Sequence, residues 1–168
     1  MSKPFVAVLM GSDSDLPVME ATLAVLKELE IPYEVRITSA HRTPAATHDY
    51  VTDAEKRGCA VFIAAAGLAA HLAGAVSALT VRPVIGVPLD AGPLQGMDAL
   101  LSTVMMPGGI PVACVAVGKA GAKNAAWLAA QMLALNDAAL AERLRQARLD
   151  NAAEVMAKNQ ALQARLKS

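Results

Sequence analysis

Three short stretches carry the residues able to do chemistry, each where an apolar run gives way to polar or small side chains. Gly11-Ser12-Asp13-Ser14-Asp15 places a glycine at a sharp bend, then two hydroxyls and the backbone N–H groups of a helix start. That combination suits a phosphate held by Ser14 and the backbone, with Asp15 accepting from ribose hydroxyls. The same side chains would equally serve as ordinary N-caps, worth about 1 kcal/mol. The stretch is neither the GxGxxG of dinucleotide sites nor the GxxxxGK[ST] of nucleotide triphosphatases.

The second stretch, Ser39-Ala40-His41-Arg42-Thr43-Pro44, sets an imidazole beside a guanidinium. Arg42 offers a fork of donors to the phosphate and offsets the charges of Asp13 and Asp15. An imidazole ordinarily titrates near neutrality, so His41 is the candidate proton carrier, unless it is a plain surface histidine. The third stretch, Ala64 to Gly74 (AAAGLAAHLAG), combines tiny side chains with His71. Its small side chains leave room for a small apolar molecule or ring, with His71 lining the pocket. A core-facing histidine bonded to a carbonyl is the alternative for His71. Gly86-Val87-Pro88 and Gly118 to Gly121 are two further turns, the second offering Lys119 either as a phosphate ligand or as a solvated loop lysine.

Other chemistries fit less well. His41, His48 and His71 show no HExxH or Cys-pair spacing, so no metal is expected. There is no GxSxG elbow. Cys59 and Cys114 lie in apolar runs, as structural thiols do. Aromatic residues are 3% of the chain and none falls in the three stretches, which disfavours flavin stacking.

An alternation of strands and helices must position these residues. Phe5–Met10, Tyr33–Thr38, Ala60–Ala65, Val84–Val87 and Val112–Val117 read as five strands. Helices are predicted over Leu16–Glu30, Pro44–Arg57, Ala70–Ala78, Met97–Met106 and Gly121–Leu135, with Pro17 in a permitted first turn and Gly58 as a C-cap. The pattern predicts an α/β three-layer fold with a parallel five-stranded sheet. In such a sheet the ligand site lies beyond the carboxyl ends of the strands, which is where the three stretches fall.

The catalytic domain is expected over 5–135. Residues 137–168 turn to Glu, Arg, Lys, Gln and Leu without Gly or Pro, predicting one long or two consecutive helices. This extension either caps the domain or packs on a neighbouring subunit.

The 168 residues suffice for one domain that buries roughly 70% of its unfolded surface. Fifteen basic residues balance fifteen acidic ones, which argues against nucleic-acid and lipid-surface binding. Residues 58–81 carry no formal charge and are long enough to span a bilayer. Their Ala and Gly content, with His71 inside, fits a buried strand and packed helix better. From Ala60 to Val117 only Arg82, Asp90 and Asp98 are formally charged, which predicts subunit interfaces. Two cysteines and no signal-like leading segment suggest a reducing, cytoplasmic setting.

The ordered set GSDSD, SAHRTP, AAHL, MPGGIP and GKAGAKNAAWLAAQML resembles the PurE family of N5-carboxyaminoimidazole ribonucleotide mutases over about residues 5–135. The resemblance implies a flavodoxin-like α/β/α subunit, a homo-octamer with sites at subunit contacts, a ribonucleotide substrate, a carbon dioxide intermediate, and no metal or organic cofactor. It assigns phosphate and ribose binding to Ser12, Ser14, Asp15 and Arg42, proton transfer to His41, and the rest of the pocket to Ser39, Gly67, Ala69, His71 and Leu72, and for its carbon dioxide intermediate it leads us to expect a dry wall of Ala64, Ala65, Ala66, Ala69 and Ala70. Where the family usually has a second glycine this chain has Leu68, and where it has proline this chain has Ala73. A positive φ at position 68 would therefore strain the loop. Asp90 is also unexpected, either bonding in an interface or repelling a substrate carboxylate. The alternatives are the related aminoimidazole ribonucleotide carboxylase, which uses free carbon dioxide, a non-catalytic nucleotide-binding module, or an inert scaffold. The AHRTP and AAHL segments resemble the mutase form.

Overall fold

The computed structural model describes residues 4–167. Five parallel strands, β1 (Phe5–Met10), β2 (Tyr33–Ile37), β3 (Cys59–Ala66), β4 (Val84–Pro88) and β5 (Ala113–Cys114), form one sheet in the order β2-β1-β3-β4-β5. The helices are α1 (Leu16–Glu28), α2 (Pro44–Lys56), α3 (Leu72–Ser77), α4 (Met97–Val104), α5 (Gly118–Ala134) and α6 (Ala138–Lys167). This is the flavodoxin-like doubly wound order, in which chain direction across the sheet reverses between β1 and β3.

β1, an interior strand, is buried on both faces, so it reads as an unbroken apolar run. Val6, Val8 and Met10 join the core that includes Met19 and Leu26 of α1 and Ala122, Ala126 and Ala130 of α5. Phe5, Ala7 and Leu9 join the opposite core with Val51 of α2 and Val76 of α3. Alanines on the inward face of α5 let that helix lie close against the sheet. Leu140 at the start of α6 is buried in the first core, whereas Leu149, Val155, Met156 and Leu166 further along are exposed. Residues 58–81 resolve into β3, a loop and the six-residue α3. Among the described residues no helix is long and apolar enough to cross a membrane.

Most element ends shift by one or two residues from the sequence expectation, and three differences are of structural consequence. The fifth strand is confined to Ala113–Cys114, because β4 offers partners only at Ile85 and Gly86, with one further bond from Val115 N–H to the Gly86 carbonyl. Gly118 to Gly121 is not a loop but the first turn of α5. Gly118, at φ +72°, turns the sharp strand-to-helix corner. A β-carbon at Gly121 would lie 1.5 Å from the Ala116 carbonyl oxygen, so only glycine permits that approach. Finally, α3 begins at Leu72 rather than Ala70, leaving Ala69 and Ala70 to the loop that follows β3.

Candidate active site

Loops from β1, β2 and β3 meet at the carboxyl edge of the sheet around a cavity of about 280 Å³. It lies at the reversal between β1 and β3, where two adjacent loops diverge and leave a crevice. Ser12, Ser14, Asp15, Ser39, His41, Gly67, Ala69, His71 and Leu72 all line it, with Gly11, Ala40, Ala66, Leu68 and Ala91. Arg42 stands beside this lining, its Nη2 donating to the Gly11 carbonyl oxygen at 3.1 Å. One guanidinium thus joins the loop after β2 to the loop after β1.

The first loop is built around a reciprocal cap. Ser14 N–H donates to Ser12 Oγ at 3.3 Å, and Ser12 N–H donates to Asp15 Oδ2 at 3.0 Å. The two serine hydroxyls are 3.0 Å apart. These contacts are the capping of a 3₁₀ turn at Asp13–Asp15 that leads directly into α1. They also draw both hydroxyls and the Asp15 carboxylate together at the cavity. Burial lifts the Asp15 carboxyl above its ordinary value of 3.8, and the hydrogen bond from Ser12 recovers only part of that cost.

The second loop is held from within by hydroxyls. Ser39 Oγ accepts from His41 N–H at 3.3 Å and from Arg42 N–H at 3.2 Å, while Thr43 Oγ1 accepts from Ser39 N–H at 2.9 Å. Beneath them Thr38 and Thr47 hydroxyls are 2.6 Å apart and buried. Pro44 starts α2 immediately afterwards. The tight turn therefore presents two consecutive side chains, His41 and Arg42, outward at the cavity mouth.

The third loop brings up His71. Its Nδ1 lies 2.8 Å from His41 Nε2, and the two rings meet edge to face with centroids 4.9 Å apart. This contact requires one nitrogen to donate and the other to accept, so the pair keeps it only while at least one ring is neutral. Gly67 is needed for close approach, since a β-carbon there would lie 2.7 Å from the Ala91 β-carbon. Leu68 occupies φ +56°, the left-handed region that costs a non-glycine residue about 1 kcal/mol or more, and its side chain is 53% exposed.

The expected alanine wall needs correction. Ala64, Ala65 and Ala70 are buried in the body of the protein and do not line the cavity; of the alanine wall only Ala66 and Ala69 do. The reason is that β3 runs through to Ala66, so Ala64 and Ala65 point into the two cores on either side of the sheet. Lys119 is exposed on the first turn of α5, outside the cavity lining. Asp90 is likewise outside that lining and packs against Gly96 and Gly118. His48 is exposed on α2 and pairs with Asp49 at 3.2 Å. Among the described residues, His, Cys, Asp and Glu nowhere gather in a group of three or more that could hold a metal ion.

Sequence reasoning missed Ala40 and Ala91 as lining residues and the direct pairing of the two imidazoles. Ala91 follows the carboxyl end of β4, so the strand-end rule was the available signal. Nothing in the residue types or spacing announced the His41 to His71 contact.

Residues 5–154 match the family described as AIR carboxylase. The N5-carboxyaminoimidazole ribonucleotide mutase of Pyrococcus horikoshii is 53% identical over 143 residues, covering 85% of this chain and 80% of that protein. The protein of the same name from Synechocystis is 54% identical over 145 residues, covering 86% and 81%. The crystal structure of Treponema denticola PurE superposes with a TM-score of 0.87 at 31% identity, covering 95% of this chain and 99% of that one.

Proposed function

The chain belongs to the AIR carboxylase family, and from that premise we propose that it acts as an N5-carboxyaminoimidazole ribonucleotide mutase. It is an isomerase of purine biosynthesis that moves a carboxylate from the exocyclic nitrogen of an aminoimidazole nucleotide to ring carbon four. The observation that carries the reading is the meeting of His41, Arg42, Ser12, Ser14 and Asp15 at one small cavity, beside relatives of that name at more than half identity.

In this reading Arg42, the two serine hydroxyls and the backbone N–H groups of the first loop hold the ribose phosphate. Asp15 accepts from ribose hydroxyls. Ser39, Gly67, Ala69, His71 and Leu72 surround the heterocycle and its carboxylate. Protonated His41 gives its proton to the exocyclic nitrogen as the carbamate N–C bond breaks and carbon dioxide is released. Carbon four then bonds to carbon dioxide, and neutral His41 removes the proton from that carbon. The imidazole ends as it began, so the steps need no outside acid or base. His71, in contact with His41 Nε2, orients that ring before the substrate enters.

We also assign the subunit to a homo-octamer in the cytoplasm. Leu94, Met97, Leu101, Val104 and Met105 form an exposed apolar strip on and beside α4, suited to burial against another copy. The exposed leucines of α6 fit a helical arm laid on a neighbour.

Incubation of the purified protein with the carboxyamino nucleotide, without ATP or metal, is expected to yield the carbon-carboxylated isomer. Faster turnover of the uncarboxylated aminoimidazole nucleotide with dissolved carbon dioxide would identify a direct carboxylase instead. Tight nucleotide binding with neither product would identify a non-catalytic module.

A further inference from the structure

Leu68 stands in a backbone conformation that glycine would adopt at lower cost, so its side chain must return something to the protein. Its contacts say what. A β-carbon added at Gly92 would lie 2.6 Å from Leu68 Cδ2, which means the leucine is seated directly on that glycine. Gly92 belongs to residues 89–96, the loop between β4 and α4, where Gly92, Gln95 and Gly96 all have positive φ. A loop with so many left-handed residues has few of the bonds that hold regular elements and needs tertiary contacts to keep its place.

The same two loops meet again at Gly67 and Ala91, and Leu89 N–H donates to the Ala66 carbonyl at 3.0 Å. Leu68 and Ala91 both line the cavity. The 89–96 loop thus reaches the site through Ala91, and it is pinned near its start by the Ala66 bond and further along by the leucine side chain.

We propose that Leu68 is a positioning residue that holds the 89–96 loop against the cavity and so retains carbon dioxide between its release and its recapture. The inference rests on the mutase reading, in which the N–C bond is already broken before the new C–C bond forms. During that interval carbon dioxide is a small neutral molecule bound to nothing. If it escapes, the nitrogen keeps the proton it received, carbon four keeps its hydrogen, and the products are the free aminoimidazole nucleotide and dissolved carbon dioxide. An apolar side chain closing one wall favours recapture by excluding water and narrowing the exit.

The test is the partition of products from the carboxyamino nucleotide, measured on the full chain above the enzyme-free background. Leu68→Gly keeps the backbone conformation without strain, so it is expected to melt no lower than the parent. Its ratio of free carbon dioxide to carbon-carboxylated product is expected to rise about fivefold, with amide exchange in residues 89–96 accelerating by a similar factor, the size of effect that loss of a half-buried leucine contact brings. Leu68→Met restores an apolar side chain and should return the ratio to within about twofold of the parent. An unchanged ratio in an active Leu68→Gly protein, or a change confined to oligomeric state, overturns the retention role while leaving the mutase reading intact. A parent that forms no carbon-carboxylated product overturns both.

Discussion

The cavity rim and the C-terminal helix are both exposed, yet they are held by different kinds of contact. At the rim, Arg42 reaches a carbonyl 31 residues away and His41 meets an imidazole 30 residues away. In α6 the ion pairs Glu142–Arg145 and Glu154–Lys158 and the Gln146–Asp150 bond join residues three or four apart. Helix geometry alone places those partners side by side. The rim contacts exist only once the sheet has brought three strand ends together. Exposure therefore says little about importance here, since the rim contacts need the tertiary fold and those of α6 need only a helix.

The sharpest way to break this contrast is at the proton carrier. His41→Asn is expected to lower kcat by about a thousandfold, in the range that loss of a general acid/base produces, while nucleotide binding measured by calorimetry persists. Near-parental turnover would remove His41 from its role. Next in size is Arg42→Met, which deletes the charged fork and its link to Gly11. KM for the nucleotide should rise by about 10- to 100-fold with a smaller change in kcat, and a phosphate-free nucleoside analogue should not distinguish variant from parent.

Asp15 sharpens the comparison by setting stability against function. Its folded carboxyl titrates above 3.8 because it is partly buried. The stability contributed by its protonated form is thus complete below pH 3.8 and lost as pH rises through the folded value. Asp15→Asn should accordingly raise Tm by about 1–3 °C at neutral pH, with the gain shrinking as the pH falls toward 3.8. Nucleotide affinity should fall several-fold at the same time. A variant that gains no stability would show that the caps around Ser12 already offset burial. The smallest effect belongs to α6, where Lys158→Ala removes an exposed pair and should leave Tm within about 1 °C and turnover unchanged. A large loss there would mean that the arm is held by something other than helix-local pairs.

Much of the fold was legible because burial on both faces leaves a plain mark. Phe5–Met10 is apolar at every position, and the structure returns that strand with the expected boundaries. Pro44 and Gly58 bracket α2 for equally local reasons, one starting a helix without a backbone N–H, the other ending it at φ +99°. Val112–Val117 misled because strand length is set by the neighbour's partners and not by the apolar run itself. Gly118 to Gly121 misled because glycine marks close packing as well as turns.

Residue types and their order alone determined that the chain would alternate strands with helices and place hydroxyls, a guanidinium and two imidazoles at strand ends. These follow from periodicity and capping, which act over a few neighbouring residues. The family resemblance, with glycine usual where this chain has Leu68, pointed to strain there if that position took a positive φ, a condition that only the backbone geometry supplied. Only the tertiary structure decided that His41 touches His71, that Leu68 rests on Gly92, and that Ala64 and Ala65 serve the core and not the cavity. Those outcomes depend on which strands become neighbours and how far each loop travels before turning, distances settled by packing across the sheet and written in no single stretch of the chain.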